Sequence, residues 1–259
     1  MILSDAEVSK KMAFIKQRTL GKPLICPSYP VLHTHISTQD VPGEITYEVV
    51  MGNCDNGCKG CHSESAVSDT YNHIPWERQT SLYDILVGAF EARKKGATSI
   101  TLMGGTTNGI LLSELMLLID KLSEILPVYL YSGDDSTLDD TTGINGILAT
   151  LSDLKGIKIG SYKEELGGLD SPSTNQRFYH KDTDNEWVCM NKAFCDTCKL
   201  TLEDKRKEQA LQDKWLEAVS EYEDKKTDDL MEGLKKFLNR VDKEIIDKEI
   251  TNSNKNTNE

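Results

Sequence analysis

The sequence has no long apolar run and no surplus of basic residues. A membrane-spanning helix needs about 20 consecutive apolar residues, and no segment of the 259 residues approaches that length. The net charge is −12, from 30 Lys+Arg and 42 Asp+Glu. Proteins that bind nucleic-acid phosphates or anionic membrane surfaces carry clusters of basic residues. We therefore expect neither a nucleic-acid partner nor a membrane partner.

The N-terminal residues also lack the basic segment and apolar segment of a secretory signal peptide, so we expect a cytoplasmic protein. The chain has seven cysteines, an odd number that is clustered rather than dispersed. This pattern is not typical of a disulfide framework. In a reducing compartment, such clusters more often bind metal or carry out redox chemistry.

Composition divides the chain into five segments. A capping box at Ser4 and Glu7 predicts the start of a helix. We expect an N-terminal helix and a proline-rich, extended or looped lead-in over residues 1–35, and a folded core over 36–180. A cysteine-containing linker over 181–200, a charged helical tail over 201–250 and a disordered end over 251–259 complete the prediction.

The core alternates between strand and helix patterns, which predicts an α/β fold with parallel strands. Predicted strands cover residues 44–51, 98–103, 128–131 and 157–162, and predicted helices cover 81–95, 110–126 and 143–151, with Thr80 or Ser81 capping the first of them. A hairpin is predicted over 179–189. Binding sites in parallel sheets form at the carboxyl ends of strands. We therefore expect the loops 52–62, 104–108 and 132–135 to converge on one rim.

Three cysteines, Cys54, Cys58 and Cys61, lie within one glycine-rich loop directly after the first predicted core strand. Cysteine thiolates hold iron–sulfur clusters, and a 4Fe–4S cluster with three protein ligands keeps one iron open for chemistry. The alternative is a structural zinc site with His62 or a distant cysteine as fourth ligand. Zinc more often uses paired Cys-x-x-Cys units, so the spacing favours the cluster.

At these residues the sequence resembles the radical S-adenosylmethionine superfamily, and within it the activating enzymes of anaerobic (class III) ribonucleotide reductase. The resemblance covers about residues 36–179. It is carried by an ordered series of motifs: DVPGE at 40–44, GNC at 52–54, CKGCHS at 58–63, MGG at 103–105, LYSG at 130–133, KIGSY at 158–162, GGLD at 167–170 and TNQRF at 174–178.

The resemblance implies an open partial (β/α) barrel of parallel strands, and the charged helical tail predicted over 201–250 adds a helical C-terminal extension. It also implies that Cys54, Cys58 and Cys61 bind a 4Fe–4S cluster whose open iron chelates S-adenosylmethionine. One electron, delivered by a donor such as flavodoxin, would split this cosubstrate into methionine and a 5′-deoxyadenosyl radical. The radical would then remove a hydrogen atom from a glycine of the partner, anaerobic ribonucleotide reductase.

The resemblance places further residues around the cosubstrate. The pair Gly104 and Gly105 matches the family's Gly-Gly motif, where the backbone meets the amino group of the methionine moiety. Thr106 stands where the family usually has a carboxylate, so the ammonium group would be held less strongly. The residues implied to bind the cosubstrate are Gly60, Cys61, His62, Gly104, Gly105, Thr106, Ser132, Gly133 and Lys158.

Two alternative functions stay open. The chain could activate another glycyl-radical enzyme or carry out another radical reaction, or it could be a non-catalytic zinc-binding interaction module. A second cysteine group, Cys189, Cys195 and Cys198, lies outside the resemblance. With Cys26 as a fourth ligand it could hold zinc or a second cluster, and buried free cysteines are the simpler interpretation.

Overall fold

The computed structural model describes residues 4, 7, 27–61, 63–66, 73–197, 210, 213 and 214. Within them the strands are β1 (Ser28–Tyr29), β2 (Val31–Ser37), β3 (Thr46–Met51), β4 (Thr80–Ser81), β5 (Ser99–Met103), β6 (Val128–Tyr131), β7 (Leu154–Ile159), β8 (Arg177–Lys181) and β9 (Trp187–Cys189). The α-helices are α1 (Leu82–Lys94), α2 (Leu112–Ser123), α3 (Ile144–Ala149) and α4 (Asn191–Thr197). Short 3₁₀ helices cover Glu64–Ala66 and Trp76–Arg78.

Seven of these strands form one mixed sheet in the order β2-β3-β5-β6-β7-β8-β9. The four central strands β3, β5, β6 and β7 are parallel, which confirms the parallel pairing predicted from the sequence. Antiparallel strands flank them on both sides. The sheet order runs from an edge at β2 to an edge at β9, and the described residues do not close it into a barrel. The short strands β1 and β4 pair separately.

The central strands are rich in apolar and β-branched residues, because both of their faces are covered. Ile100, Leu102, Leu130 and Ile157 are fully buried on one face. The strand register places Tyr129 and Phe178 on the opposite face, where they pack with Val41 and with Phe194 of α4. Burying such side chains contributes about 1.5–3 kcal/mol each, so the two faces together hold the carboxyl ends of the central strands in place.

The helix starts and stops follow local signals. The hydroxyl of Ser81 accepts a 3.2 Å hydrogen bond from the backbone N–H of Asp84, which confirms the predicted N-cap of α1. Helix α2 ends at Ser123, earlier than the predicted boundary at 126. Residue 126 precedes Pro127, and a residue before proline is disfavoured in helical conformation.

One predicted strand boundary was wrong, and two predicted segments contain regular structure. Residues 31–37 form the edge strand β2, which spans the predicted core boundary at 36. The strand predicted at 157–162 is β7, Leu154–Ile159, and it ends before Gly160, whose φ of +97° leaves the extended region. The predicted linker 181–200 contains β9 and α4, because Phe194 packs on Phe178, with 5.0 Å between the ring centroids.

Two further predictions were confirmed, and several others concern residues that the structure does not describe. The hairpin at 179–189 is confirmed by the antiparallel pairing of β8 with β9. The capping box is also confirmed, since the backbone N–H of Ser4 donates a 2.9 Å hydrogen bond to the Glu7 carboxylate and the N–H of Glu7 donates one of 3.4 Å to the Ser4 hydroxyl. Most of the predicted N-terminal helix, all but a few residues of the predicted tail over 201–250, and the predicted disordered end lie outside the described residues.

In the part of the chain that the structure describes, no helix is long and apolar enough to cross a membrane.

Candidate metal and cofactor site

The loops that follow β3, β5 and β6 meet at one rim of the sheet. The backbone N–H of Asp55 donates a 2.9 Å hydrogen bond to the carbonyl of Thr107. The side-chain amide of Asn56 donates a 2.7 Å hydrogen bond to the carbonyl of Gly133. The hydroxyls of Thr106 and Ser132 lie 3.0 Å apart. These contacts confirm the predicted convergence, because each loop bonds directly to the next.

The cysteine loop has its own internal supports. The backbone N–H of Cys54 donates a 2.7 Å hydrogen bond to the carbonyl of Ala66, and the N–H of Cys61 donates one of 3.3 Å to the carbonyl of Cys58. All three cysteines of the loop are free thiols and half-buried. Their side chains are therefore partly shielded from water and still open to a ligand on the rim.

The three thiols are close enough to influence one another. Burial raises the pKa of the Cys61 thiol, and the charges of Cys58 and Cys54 raise this pKa further. A backbone hydrogen bond at Ser63 and the charge of Lys158 act in the opposite direction. Thiolates placed together in this way repel one another, and a bound cation or metal cluster relieves that repulsion.

Lys158, in β7, provides a buried positive charge under the rim. Its side chain is only 7% exposed, and its ammonium donates hydrogen bonds of 3.1 Å to the carbonyl of Ser132 and 2.9 Å to that of Gly160. Burial lowers the pKa of Lys158 to about 8, while the charges of Cys58, Cys61, Asp135 and Cys54 partly restore it. Lys158 therefore faces the thiols, as expected for a residue of the same site.

The Gly104–Gly105 turn requires glycine at both positions. Their φ angles are +103° and +118°, in a region that other residues rarely adopt. A Cβ on Gly104 would lie 2.7 Å from Oδ1 of Asn108. Asn108 is 3% exposed; it accepts a 2.6 Å hydrogen bond from the N–H of Gly105 and donates one of 2.8 Å to the carbonyl of Gly52. This side chain therefore ties the Gly-Gly turn to the start of the cysteine loop.

We expect Gly105→Ala to destabilise the protein by about 2–5 kcal/mol, the sum of backbone strain and overpacking. The added Cβ would lie 2.8 Å from Cδ1 of Leu115, a fully buried residue of α2. Gly109→Ala is the matched control, because Gly109 also has a positive φ of +68° and its Cβ would meet nothing within 4 Å. Urea unfolding measures both variants, and equal losses would contradict the packing argument.

The hydroxyl of Thr106 is committed to the neighbouring loop. It accepts a 3.2 Å hydrogen bond from the backbone N–H of Gly133 and shares a hydrogen bond with Ser132. Ser132 is fully buried, so Thr106 joins the second and third loops of the rim. Thr106, predicted from the sequence as a cosubstrate-binding residue, therefore holds two loops together.

The remaining predicted site residues are placed as follows. Gly60 is exposed, with a φ of +71°, beside the ion pair of 2.7 Å between Lys59 and Glu164. His62 lies outside the described residues, so the zinc alternative with His62 as ligand stays a prediction. In the second cysteine group, Cys189 is exposed and residue 195 lies in α4. Residues 26 and 198 are outside the described part.

Sequence reasoning missed an acidic pair, the buried Glu48 and the half-buried Asp40. Glu48 of β3 is 6% exposed and lies 3.1 Å from Nε2 of His35. Burial raises the pKa of Asp40 to about 8, and the charge of Glu48 and a hydrogen bond with it raise this pKa as well. The hydroxyl of Thr46 donates a 2.9 Å hydrogen bond to Asp40, and the Tyr131 hydroxyl donates to its backbone carbonyl. The sequence did carry one signal of this pair, because Glu48 is an acidic residue within an otherwise largely apolar strand.

The thiols fit an iron–sulfur cluster by the chemistry of the donor set. Among the described residues, no three His, Cys, Asp or Glu side chains converge as ligands of a single metal ion. A cluster does not require such convergence, since each cysteine binds a different iron. Three half-buried thiols on one loop, a buried ammonium and a Gly-Gly turn at the same rim are compatible with a cluster and a small zwitterionic cosubstrate.

Comparison with known proteins finds no matching family model, no matching curated protein and no matching solved structure.

Proposed function

We propose that the chain is a radical S-adenosylmethionine enzyme that acts in the cytoplasm and installs a glycyl radical on anaerobic ribonucleotide reductase. The observation that supports this proposal most strongly is the group of three thiols, Cys54, Cys58 and Cys61, at the carboxyl ends of parallel strands. The choice of reductase as partner depends on the sequence resemblance, chiefly on the motifs at 40–44, 58–63 and 174–178.

In this proposal Cys54, Cys58 and Cys61 hold a 4Fe–4S cluster through their thiolates. When bound, the cluster supplies the single electron that splits S-adenosylmethionine into methionine and a 5′-deoxyadenosyl radical. The cysteine loop contributes tight backbone turns at its glycines. Its anchors to Ala66 and Thr107 hold Cys54 on the rim. The protein thus supplies binding, orientation and shielding from water, as is usual where a cofactor carries the chemistry.

Residues of the loop after β5 and of strand β7 would hold the methionine moiety of S-adenosylmethionine. The Gly104–Gly105 turn has the positive φ angles that glycine adopts readily, and the backbone carbonyls of this turn would meet the amino group. The ammonium of Lys158 provides the positive charge that a carboxylate requires. Its hydrogen bonds to the carbonyls of Ser132 and Gly160 keep that charge beneath the rim.

The partner is tested by electron paramagnetic resonance of anaerobic ribonucleotide reductase after anaerobic incubation with the chain, reduced flavodoxin and S-adenosylmethionine. We expect a glycyl-radical signal on the reductase, with one 5′-deoxyadenosine formed for each radical. The matched control replaces the target glycine of the reductase by alanine and should give no radical signal. Formation of 5′-deoxyadenosine without a radical on the reductase would assign the chain to another glycyl-radical enzyme or another substrate.

A further inference from the structure

The hydroxyl of Thr107 lies 3.5 Å from the sulfur of Cys54. The same residue is fixed through its backbone, since its carbonyl accepts the 2.9 Å hydrogen bond from the N–H of Asp55. Thr107 therefore contacts the cysteine loop at two successive residues. Neither contact was foreseen from the sequence, because nothing in the motif around Gly104 and Gly105 distinguishes this threonine.

The two neighbours of Thr107 hold it from both sides. Thr106 bonds to the loop after β6 through Ser132 and Gly133. Asn108 bonds to the carbonyls of Met51 and Gly52 at the end of β3. Three consecutive side chains thus reach three different points of the rim. The position of the Thr107 hydroxyl is consequently set by the fold rather than by a freely rotating loop.

The chemistry of the sulfur decides the direction of the hydrogen bond. In the free thiol, either atom can donate. A cysteine that ligates iron has lost its proton, so its sulfur can only accept and Thr107 must donate. Hydrogen bonds to the sulfurs of an iron–sulfur cluster are among the factors that set its reduction potential. They stabilise the reduced form, in which the sulfurs carry more negative charge.

We propose that Thr107 is a positioning residue whose hydroxyl donates a hydrogen bond to the Cys54 sulfur and raises the reduction potential of the cluster. The inference rests on the proposed function, because it requires a cluster at Cys54, Cys58 and Cys61. The donated proton stays on Thr107 throughout. The residue acts on the ease of reduction, and it does not take part in the splitting of S-adenosylmethionine.

The test is a potentiometric titration of the reconstituted full chain. Thr107→Val keeps the side-chain shape and removes the donor. We expect the oxidised-to-reduced ratio at a fixed potential to rise roughly tenfold, which for one electron corresponds to a midpoint about 59 mV more negative. Thr107→Ser keeps the donor and should restore the wild-type midpoint. Thr150→Val is the control, because its hydroxyl bonds to the carbonyl of Ile147 at the end of α3.

The results distinguish failure of the role of Thr107 from failure of the proposed function. A wild-type midpoint in cluster-loaded Thr107→Val would overturn the role of Thr107 and leave the proposed function intact. A chain that binds no iron–sulfur cluster would overturn both. If Thr107→Val does not assemble a cluster, Thr107→Ala is measured in its place. This variant also lacks the hydroxyl, but it adds no methyl group where the hydroxyl was.

Discussion

Replacing Cys58 by alanine should abolish iron–sulfur cluster binding and lower 5′-deoxyadenosine formation by more than about a hundredfold. Loss of an outer partner of a metal ligand already costs roughly 10–100-fold in affinity or activity, and Cys58 is itself a proposed ligand. The fold should survive, because Cys58 accepts the hydrogen bond from the N–H of Cys61 through its backbone carbonyl, which the substitution keeps. Iron and sulfide content per chain after anaerobic reconstitution measures the effect.

Cys189→Ala is the matched control for this experiment. Cys189 is also a free thiol, and it is exposed at the end of β9, outside the cysteine loop. We expect its substitution to leave iron content and product formation unchanged. Equal losses of iron in both variants would show that Cys189 also contributes to iron binding, and unchanged iron in Cys58→Ala would remove Cys58 from the ligand set.

The second large effect concerns pH. We expect the wild-type protein to lose stability as the pH rises from about 4 to about 8, and Asp40→Asn to lose far less. Burial raises the pKa of Asp40 from 3.8 to about 8. The folded state therefore keeps a proton that the unfolded state has already released. Asparagine has the same shape, stays neutral and can still donate to Glu48.

The sign follows from proton counting. Below the unfolded pKa both states are protonated, and the full stability is present. Between the two pKa values the folded state binds one proton more than the unfolded state. Stability then falls by up to about 1.4 kcal/mol per pH unit. Above the folded pKa both states are ionised, so this carboxyl adds no further slope, and the hydrogen bond from the Thr46 hydroxyl remains available to it.

Urea unfolding at several pH values between about 5 and 8 measures this slope. Asp140→Asn is the matched control, because Asp140 is exposed and hydrogen bonds from Thr142 lower the pKa of its carboxyl. That carboxyl is ionised in both states over this range, so its substitution should leave the slope unchanged. A slope in Asp40→Asn equal to that of the wild type would assign the pH dependence to other groups.

The central strands could be predicted because their sequences carry local signals. Strands β5 and β6 are short apolar runs that stop at glycine or serine, and buried parallel strands have this pattern. The edge strand β2 lacks such a signal, because prolines surround it and it carries two polar histidines, the exposed His33 and the half-buried His35. The start of β7 was missed because Gly156 interrupts the pattern. The fold requires glycine there, since a Cβ would lie 2.4 Å from the ring of Tyr129.

The parts of the candidate site that consist of distinctive residue types could be predicted from the sequence. Three cysteines in one loop indicate a metal site, and a Gly-Gly pair after a strand indicates a tight turn. Thr107 and Asn108 carry no such signal, because a threonine or an asparagine after a turn is common and their partners lie more than 50 positions earlier in the chain. Only the register of the sheet brings those partners together. Asp40 and Glu48 are only eight positions apart, and the turn of the chain from β2 into β3 brings them together.

The central claim is that the three thiols hold a cluster that splits S-adenosylmethionine. The most direct measurement is anaerobic reconstitution of the chain with iron and sulfide, followed by reduction, addition of S-adenosylmethionine and assay of 5′-deoxyadenosine and methionine. The account predicts equal amounts of both products with the wild type and neither with Cys58→Ala. A colourless wild-type protein that binds zinc in place of iron and forms neither product would contradict it.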